Sequence, residues 1–421
     1  MTVSVCLWLG LFPLLQFGSY RTITGDKWLC MLLLTGITMA CFLADVFTHR
    51  IARPRLLPLL CGAGLLVWTA VSCLASPLPG APWWIGAGRR EGLASRLCYL
   101  GLLFLFSCSR VRRRPALLSA GCGVLVFLAV VLIQRAGGNP FGLYPADSSY
   151  ESTPFFQGTI GNIDMCSGYL VILCGLFLPA LFNTVHSLLP ASRPEPKAKR
   201  RDLFLACILF AALTSAVFLL ITMNTASGLL ALSVLLVWTV IRFLPKKARL
   251  PVLVLLLAAA LVLVWFWPGQ NGSVWELHEI LHGRPQFSFG TGRIGVWMRC
   301  FDMLKAEGRL LTGTGADTFA LRFSGFLTVW ELAHPEDEYL TEYYDSPHCE
   351  YLAMLSDCGI PALLCFLALI LAGCFSAPFW QDSVLGYGIQ AFLSFSVCIV
   401  APMFWVVLGL ALSPAPENKS K

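Results

Sequence analysis

Arg89, Arg90 and Arg96 cluster around the start of an apolar run, Leu93–Ser109. Guanidinium forks bind phosphate oxygens in a bidentate way. Seven residues separate Arg89 from Arg96, so on a continuous helix the two share a face. Farther along, Gly292-Arg293-Ile294-Gly295-Val296-Trp297 sets another arginine four residues before a tryptophan. Leu311-Thr312-Gly313-Thr314-Gly315-Ala316-Asp317-Thr318-Phe319 follows, then Ser346-Pro347-His348-Cys349-Glu350-Tyr351-Leu352. Histidine is the side chain that accepts a proton near neutral pH. Each feature also has a plainer reading. Arginines snorkel to lipid headgroups, Gly313–Gly315 reads as an ordinary turn, Arg293 as a surface charge and His348 as an interfacial residue. His278-Glu279-Ile280-Leu281-His282 matches a different chemistry, in which i and i+4 histidines hold zinc and the glutamate is the base. No third ligand is evident: His282-Gly283-Arg284 does not continue such a pattern, and Glu307 has no supporting context. A structural helix is the better reading there.

The elements that must position these residues are set by composition. Of 421 residues, 57% are hydrophobic and only 13% charged, with a mean hydropathy of +0.73. A soluble domain carries roughly 25% charged residues, so the missing charge excludes a water-soluble body. Apolar runs long enough to cross about 30 Å of hydrocarbon fall at Met1–Ser19, Trp28–Phe47, Leu56–Ala75, Leu93–Ser109, Pro115–Ile133, Cys166–Val185, Leu203–Met223, Ala226–Phe243, Leu250–Trp267 and Gly359–Phe375. A last stretch, Val384–Leu412, is interrupted at Ala401-Pro402 and is either one span or two short helices meeting at the proline. The expectation is an all-α polytopic membrane protein of about 11–12 transmembrane helices. Its parts are 1–267 with about nine spans, a large loop over 268–350, and C-terminal spans with a short tail over 351–421. Met1–Ser19 lacks a basic flank and a cleavage site, so it reads as the first span. The 17 cysteines lie mostly in apolar runs and show neither zinc nor disulfide spacing.

Orientation follows from loop cations. Arg50, Arg53 and Arg55, then Arg110, Arg112, Arg113 and Arg114, then Arg193, Lys197, Lys199, Arg200 and Arg201, then Arg242, Lys246, Lys247 and Arg249 fall in four successive loops of one side. That side is expected to be cytoplasmic, with the N-terminus inside. The net charge of +7 is then a topology signal and not a nucleic-acid surface. Arg193–Pro196 reads as a cytoplasmic linker. The other side carries Gln134–Met165 and the loop 268–350, expected as a few short helices over the membrane mouth. Its aromatics (Trp275, Phe287, Phe289, Trp297, Trp330, Tyr339, Tyr343, Tyr344) read mostly as a small core, with stacking on sugar rings as the alternative. Glu331, Glu336, Asp337, Glu338, Glu342 and Asp345 read as a solvated acidic face.

In order, the arginine four before tryptophan, the Gly-x-Gly turn and the histidine entering a Gly-Ile-Pro span resemble the O-antigen ligase-like family of ligases, polymerases and protein oligosaccharyltransferases. Arg90-Glu91-Gly92-Leu93, Gly158-Thr159-Ile160-Gly161-Asn162 and Phe404-Trp405 with Leu408-Gly409-Leu410 fit the same pattern, so the resemblance covers roughly Gly88 to Ala411. Three positions depart from it: Cys349 stands where asparagine follows the key histidine, Ser227-Gly228 replaces a Ser-Arg, and Asp357-Cys358-Gly359 replaces a Glu-Gly. The resemblance implies a GT-C-like fold in the bacterial cytoplasmic (inner) membrane with an extracytoplasmic active site. It implies metal-independent, inverting transfer of a glycan from a polyprenyl diphosphate to an acceptor hydroxyl, with no cofactor. The acceptor would be a glycan, a lipid core or a wall polymer, and nucleic acid is not a partner. His348 and Arg293 are the expected catalytic residues, and Arg89, Arg90, Arg96 and Arg322 the expected donor-diphosphate cations. The alternatives are a membrane zinc protease using His278, Glu279 and His282, and a transporter without covalent chemistry.

Overall fold

The computed structural model describes residues 1–48, 50–188, 196–335, 340, 343–376, 379–395 and 397–414. Residues 193–195 of the basic linker, and Glu336, Asp337, Glu338, Tyr339 and Glu342 of the acidic stretch, lie outside the described residues. The protein is an all-α polytopic membrane protein. Hydrocarbon offers a backbone no hydrogen-bond partners, so each apolar run closes its own bonds as a helix. Seven described helices are long and apolar enough to cross a bilayer. They are α2 (Ile23–Phe47), α3 (Leu56–Leu74), α5 (Arg113–Arg135), α6 (Ile163–Ser187), α7 (Pro196–Met223), α9 (Lys246–Trp265) and α13 (Glu350–Cys374). Shorter apolar helices complete the set: α1 (Thr2–Leu14), α4 (Leu93–Ser107), α8 (Ala226–Ile241) and α15 (Ala401–Leu412). The sheet found among the described residues is one antiparallel hairpin, β1 (Phe156–Gln157) with β2 (Gly161–Asn162), which delivers the chain into α6.

Helix α6 is the axis of the bundle, with 78% of its apolar window buried, whereas α9 has none and stands at the lipid periphery. The first expected span, Met1–Ser19, ends early. It stops at Leu14, passing from α through a wider π turn to a tight 3-10 turn that contains Pro13. Its exposed carbonyls are taken by the fully buried Lys27, whose Nζ donates to Phe12 O at 3.0 Å and Pro13 O at 2.9 Å. Thr159 adds a third bond to Pro13 O, so a break at membrane depth leaves no orphaned acceptor there. The Val384–Leu412 stretch resolves into two helices, α14 (Gln381–Gln390) and α15, the latter opening with Pro402 in its first turn.

The four basic loops share one end of the bundle. Ala52 N–H donates to Cys108 O at 2.7 Å, Arg55 reaches Ser376, Arg114 pairs with Asp202, and Arg242 pairs with Asp382. The other end carries the β-hairpin and three further helices between α9 and α13. These are α10 (Gly272–Leu281), α11 (Arg293–Glu307) and α12 (Phe319–Ala333). A separate small core of Val296, Cys300, Met303, Leu304, Phe319, Phe323, Cys349 and Leu352 joins α11 and α12 to the start of α13.

Candidate functional site

The spacing of Arg293 and Trp297 has a mechanical explanation. Arg293 is the first residue of α11, following Gly292 in the left-handed region at φ 84°. One turn later, Trp297 lies on the same face. Arg293 Nη2 meets Asp164 Oδ2 at 3.3 Å in the first turn of α6, while Trp297 Nε1 donates to Pro347 O at 2.8 Å. One helical face therefore joins the hairpin-to-α6 junction to the residue before His348.

His348 is held between rings, at 4.9 Å from Phe395 and 6.4 Å from Tyr344, both edge-on. Its backbone sits at φ 51°, a costly conformation for a residue with a Cβ. The Nδ1 atom is buried and has no hydrogen-bond partner among the described residues. Burial pushes the imidazole down to about 4, and the nearby Arg293 and Arg89 guanidiniums push the same way, against the carboxylate of Asp345. At neutral pH the ring is uncharged and able to take a proton.

Arg89 closes the other side. Its guanidinium lies 4.2 Å from the centre of the same Phe395 ring that meets His348 edge-on. The same fork grips Asp345 through bonds of 2.6 and 2.9 Å. Asp345 is thus a specific partner, where the sequence suggested only a solvated face. The turn that presents Arg89 is built around Asp317: its Oδ2 accepts from the backbone N–H of Gly88 (3.1 Å), Arg89 (2.9 Å) and Glu91 (3.2 Å). A Cβ at Gly86 would collide with that carboxylate. Burial raises the Asp317 pKa, and the three N–H bonds oppose it.

The remaining sequence candidates fall elsewhere. Helix α4 begins only at Leu93, so the shared helical face expected for Arg89 and Arg96 does not exist. Arg90, at φ 60°, turns towards α2 and lies 5.4 Å from the Trp28 ring. Arg96 points into a cavity of about 50 Å³ beneath the histidine, shared with Arg89, Glu91, Asp317, Glu350 and Asp357. That volume suits a few waters at roughly 10–15 Å³ each. Burial pushes Glu91 up to about 8, against Arg96 and the Tyr99 hydroxyl. Arg322 is not presented to the cleft: its side chain is 4% exposed and bonded to Glu307, Ser356 and Asp357.

The Gly-x-Gly turn is a packing device. Thr314 and Gly315 N–H both donate to the Asp357 carbonyl at 2.9 Å, and Asp317 N–H donates to the Asp357 carboxylate at 3.0 Å. A Cβ on Gly313 would collide with that carbonyl, and one on Gly359, where α13 kinks, would collide with Leu311 O. The arginine missing at Gly228 also has a cause, because a Cβ there already presses on Ser167 of α6 at 2.8 Å. In the His-Glu-x-x-His stretch, His278 Nδ1 bonds Val264 O at the end of α9, and His282 stacks on Trp265. Glu279 is gripped by Arg284 through two bonds of 2.7 Å. Among the described residues no group of three His, Cys, Asp or Glu could hold a metal ion.

Four helices of 15 to 25 residues point their N-termini at this place: α4, α6, α11 and α13. Their first N–H groups already have partners, such as Leu93 with Trp83 O, Asp164 with Asn162 Oδ1, Ile294 with Phe289 O and Glu350 with Ala391 O, so what each N-terminus offers an anion is the partial positive charge of the helix dipole. Residues 209–367 match the family model for O-antigen ligase, and this supports an O-antigen ligase-like assignment. The matched segment contains Arg293, the Gly-x-Gly turn and His348, while Arg89, Arg90 and Arg96 precede it. No curated protein matches the chain.

Proposed function

We propose, from this O-antigen ligase-like assignment, that the protein transfers a glycan from a polyprenyl diphosphate to an acceptor hydroxyl at the loop-bearing, extracytoplasmic face of the bacterial inner membrane. The observation that carries the reading is the approach of Arg89 and Arg293 to one uncharged histidine at a junction of four helix N-termini. A diphosphate is a good leaving group, and preorganised guanidiniums stabilise the charge that develops on it. Arg89 and Arg293 hold the diphosphate, with Arg90 and Arg96 as flanking positive charge; Arg322 is a structural support.

In the transfer step the acceptor oxygen forms the new glycosidic bond as the bond from the anomeric carbon to the diphosphate breaks. The acceptor proton passes to His348, and the polyprenyl diphosphate departs as the leaving group. Attack opposite the leaving group gives inversion. Glycans, lipid cores and wall polymers all present suitable hydroxyls. General-base help contributes about 10²–10⁴-fold. In a reconstituted assay with lipid-linked oligosaccharide and these acceptors, His348→Ala is expected to fold normally and lose at least about two orders of magnitude in rate. Full activity in that variant refutes the role of His348. Absence of transfer to every acceptor by the wild-type protein, with intact donor binding, refutes the reaction class.

A further inference from the structure

Helix α12 exposes a face that is unusual for a loop helix. Its exposed residues are Leu321, Gly325, Thr328, Val329, Leu332 and Ala333. These positions recur at intervals of three and four and form one stripe along the helix, about 22 Å long at 1.5 Å per residue. None of them is charged. Leu321 is 50% exposed, Val329 67% and Leu332 81%. Phe319, Ala320 and Phe323 face away from the stripe and are buried, and Arg322, at the stripe's edge, is covered by its bonds to Glu307, Ser356 and Asp357. In water, a contiguous uncharged apolar stripe of this kind is an association hazard.

The level of α12 relative to the bilayer is fixed by its connections. Arg309 donates to Ala75 O, at the last turn of the transmembrane helix α3. Trp68 Nε1 of α3 donates to Leu311 O at 3.1 Å, and Gly315 N–H donates to Ser72 Oγ at 3.0 Å. The segment leading into α12 is therefore pinned to the last two turns of a membrane span, and it exposes Leu310 and Leu311 beside them. Arg322, one turn into α12, is bonded to Asp357, whose carbonyl accepts from the same Ser72. The helix starts at the boundary between hydrocarbon and water.

We infer that α12 lies in the plane of the membrane surface and beds its uncharged stripe, Leu321 to Leu332, into the lipid leaflet at the loop-bearing end of the bundle. A helix that exposes a continuous uncharged stripe at this level buries it at the boundary of headgroups and acyl chains. The consequence reaches the site through Arg299 of α11, whose guanidinium lies 4.8 Å from the rings of both Phe287 and Trp330. Lipid contact on α12 thereby steadies α11, the helix that begins with Arg293. Four full-length variants in phospholipid nanodiscs test this, each with the photo-crosslinker p-benzoylphenylalanine at one site. Val329 and Leu332 probe the stripe, and Lys305 on α11, whose side chain is 77% exposed, is the water-facing control. Val254 of α9, 56% exposed on a peripheral span, supplies the lipid-facing reference. Illumination is expected to give phospholipid adducts at Val329 and Leu332 in yields comparable with Val254, and background at Lys305. Background yields at both stripe positions overturn the inference. So does crosslinking to a second copy of the chain in place of lipid. Glycan transfer plays no part in this readout, so it stands or falls separately from the proposed reaction.

Discussion

The charge state of His348 offers a test with opposite signs for two substitutions. Burial, Arg293 and Arg89 hold the imidazole near 4, and Asp345 works against them. An ordinary histidine titrates near 6.5, and at pH 5.5 would be roughly nine-tenths protonated and useless as a base. At the same pH, His348 remains roughly 97% uncharged by the same relation. The acid limb of kcat/KM reports the free enzyme and is expected well below pH 6, close to pH 4–5. At saturating donor, kcat reports the complex, in which the diphosphate offsets the guanidinium charge, so its acid limb moves up. Arg293→Gln removes a positive neighbour and favours the imidazolium, raising the kcat/KM limb by on the order of one pH unit, or ~1.4 kcal/mol. Asp345→Asn removes the one group that favours the imidazolium and lowers the limb. The assay is initial-rate transfer by purified protein in nanodiscs, from pH 4 to 8, with donor and acceptor each varied. A wild-type kcat/KM limb at 6.5 that neither substitution moves refutes the placement of these charges around the base.

Three other outcomes follow from the geometry. Asp317→Ala leaves the N–H groups of Gly88, Arg89 and Glu91 without their acceptor, at about 1–3 kcal/mol each where buried. Misplacing Arg89 should raise the donor KM and lower kcat/KM about 10²-fold, while Asp317→Asn, which keeps an acceptor oxygen, recovers part of both. Arg322→Ala strands the carboxylates of Glu307 and Asp357 and is expected to cost ~3–5 kcal/mol in thermal unfolding. Activity per folded molecule should be unchanged; normal stability with lost donor binding would return Arg322 to the donor site. His278→Ala, which frees the Val264 carbonyl at the α9–α10 corner, should lower the unfolding temperature. Transfer should stay insensitive to chelators, and chelator-sensitive transfer lost in this variant would revive the zinc reading.

Legibility in the sequence tracked the range of the forces involved. Span composition is a local property, so the membrane helices could be read directly, while their ends could not: the first stops early where Lys27 and Thr159 take the carbonyls of Phe12 and Pro13, and the helix expected from Gly359 starts at Glu350. Arg89 stood out because cations at the wrong end of a span are unusual, whereas Arg293 and His348, ordinary when taken alone, stood out only through their order around the Gly-x-Gly turn and the family resemblance it carries. Their partners were not. Asp317 lies 228 positions from Arg89 and Asp345 lies 256, and nothing local distinguishes either aspartate from a solvated one. Phe395 sits in the break between α14 and α15, where an apolar stretch whose interruption was read at Ala401-Pro402 gave no sign of an aromatic wall. Arg322 misled for the converse reason: an arginine in a loop reads as exposed, and only the fold shows it pressed against the Asp357 kink.

The carboxylates of Asp345 and Asp164 explain how so cationic a place is tolerated. Asp345 fills the Arg89 fork as a phosphate would, and Asp164 meets one Arg293 nitrogen at 3.3 Å, so neither cation is left uncompensated. A diphosphate entering this site therefore exchanges with existing partners, and its affinity is the difference between two charge-assisted arrangements. That difference favours the ligand that can engage both guanidiniums and the helix N-termini at once, which a diphosphate does and a single carboxylate does not. On the proposed function, a diphosphate is preferred over a single-phosphate lipid because it carries enough charge to replace both Asp345 and Asp164.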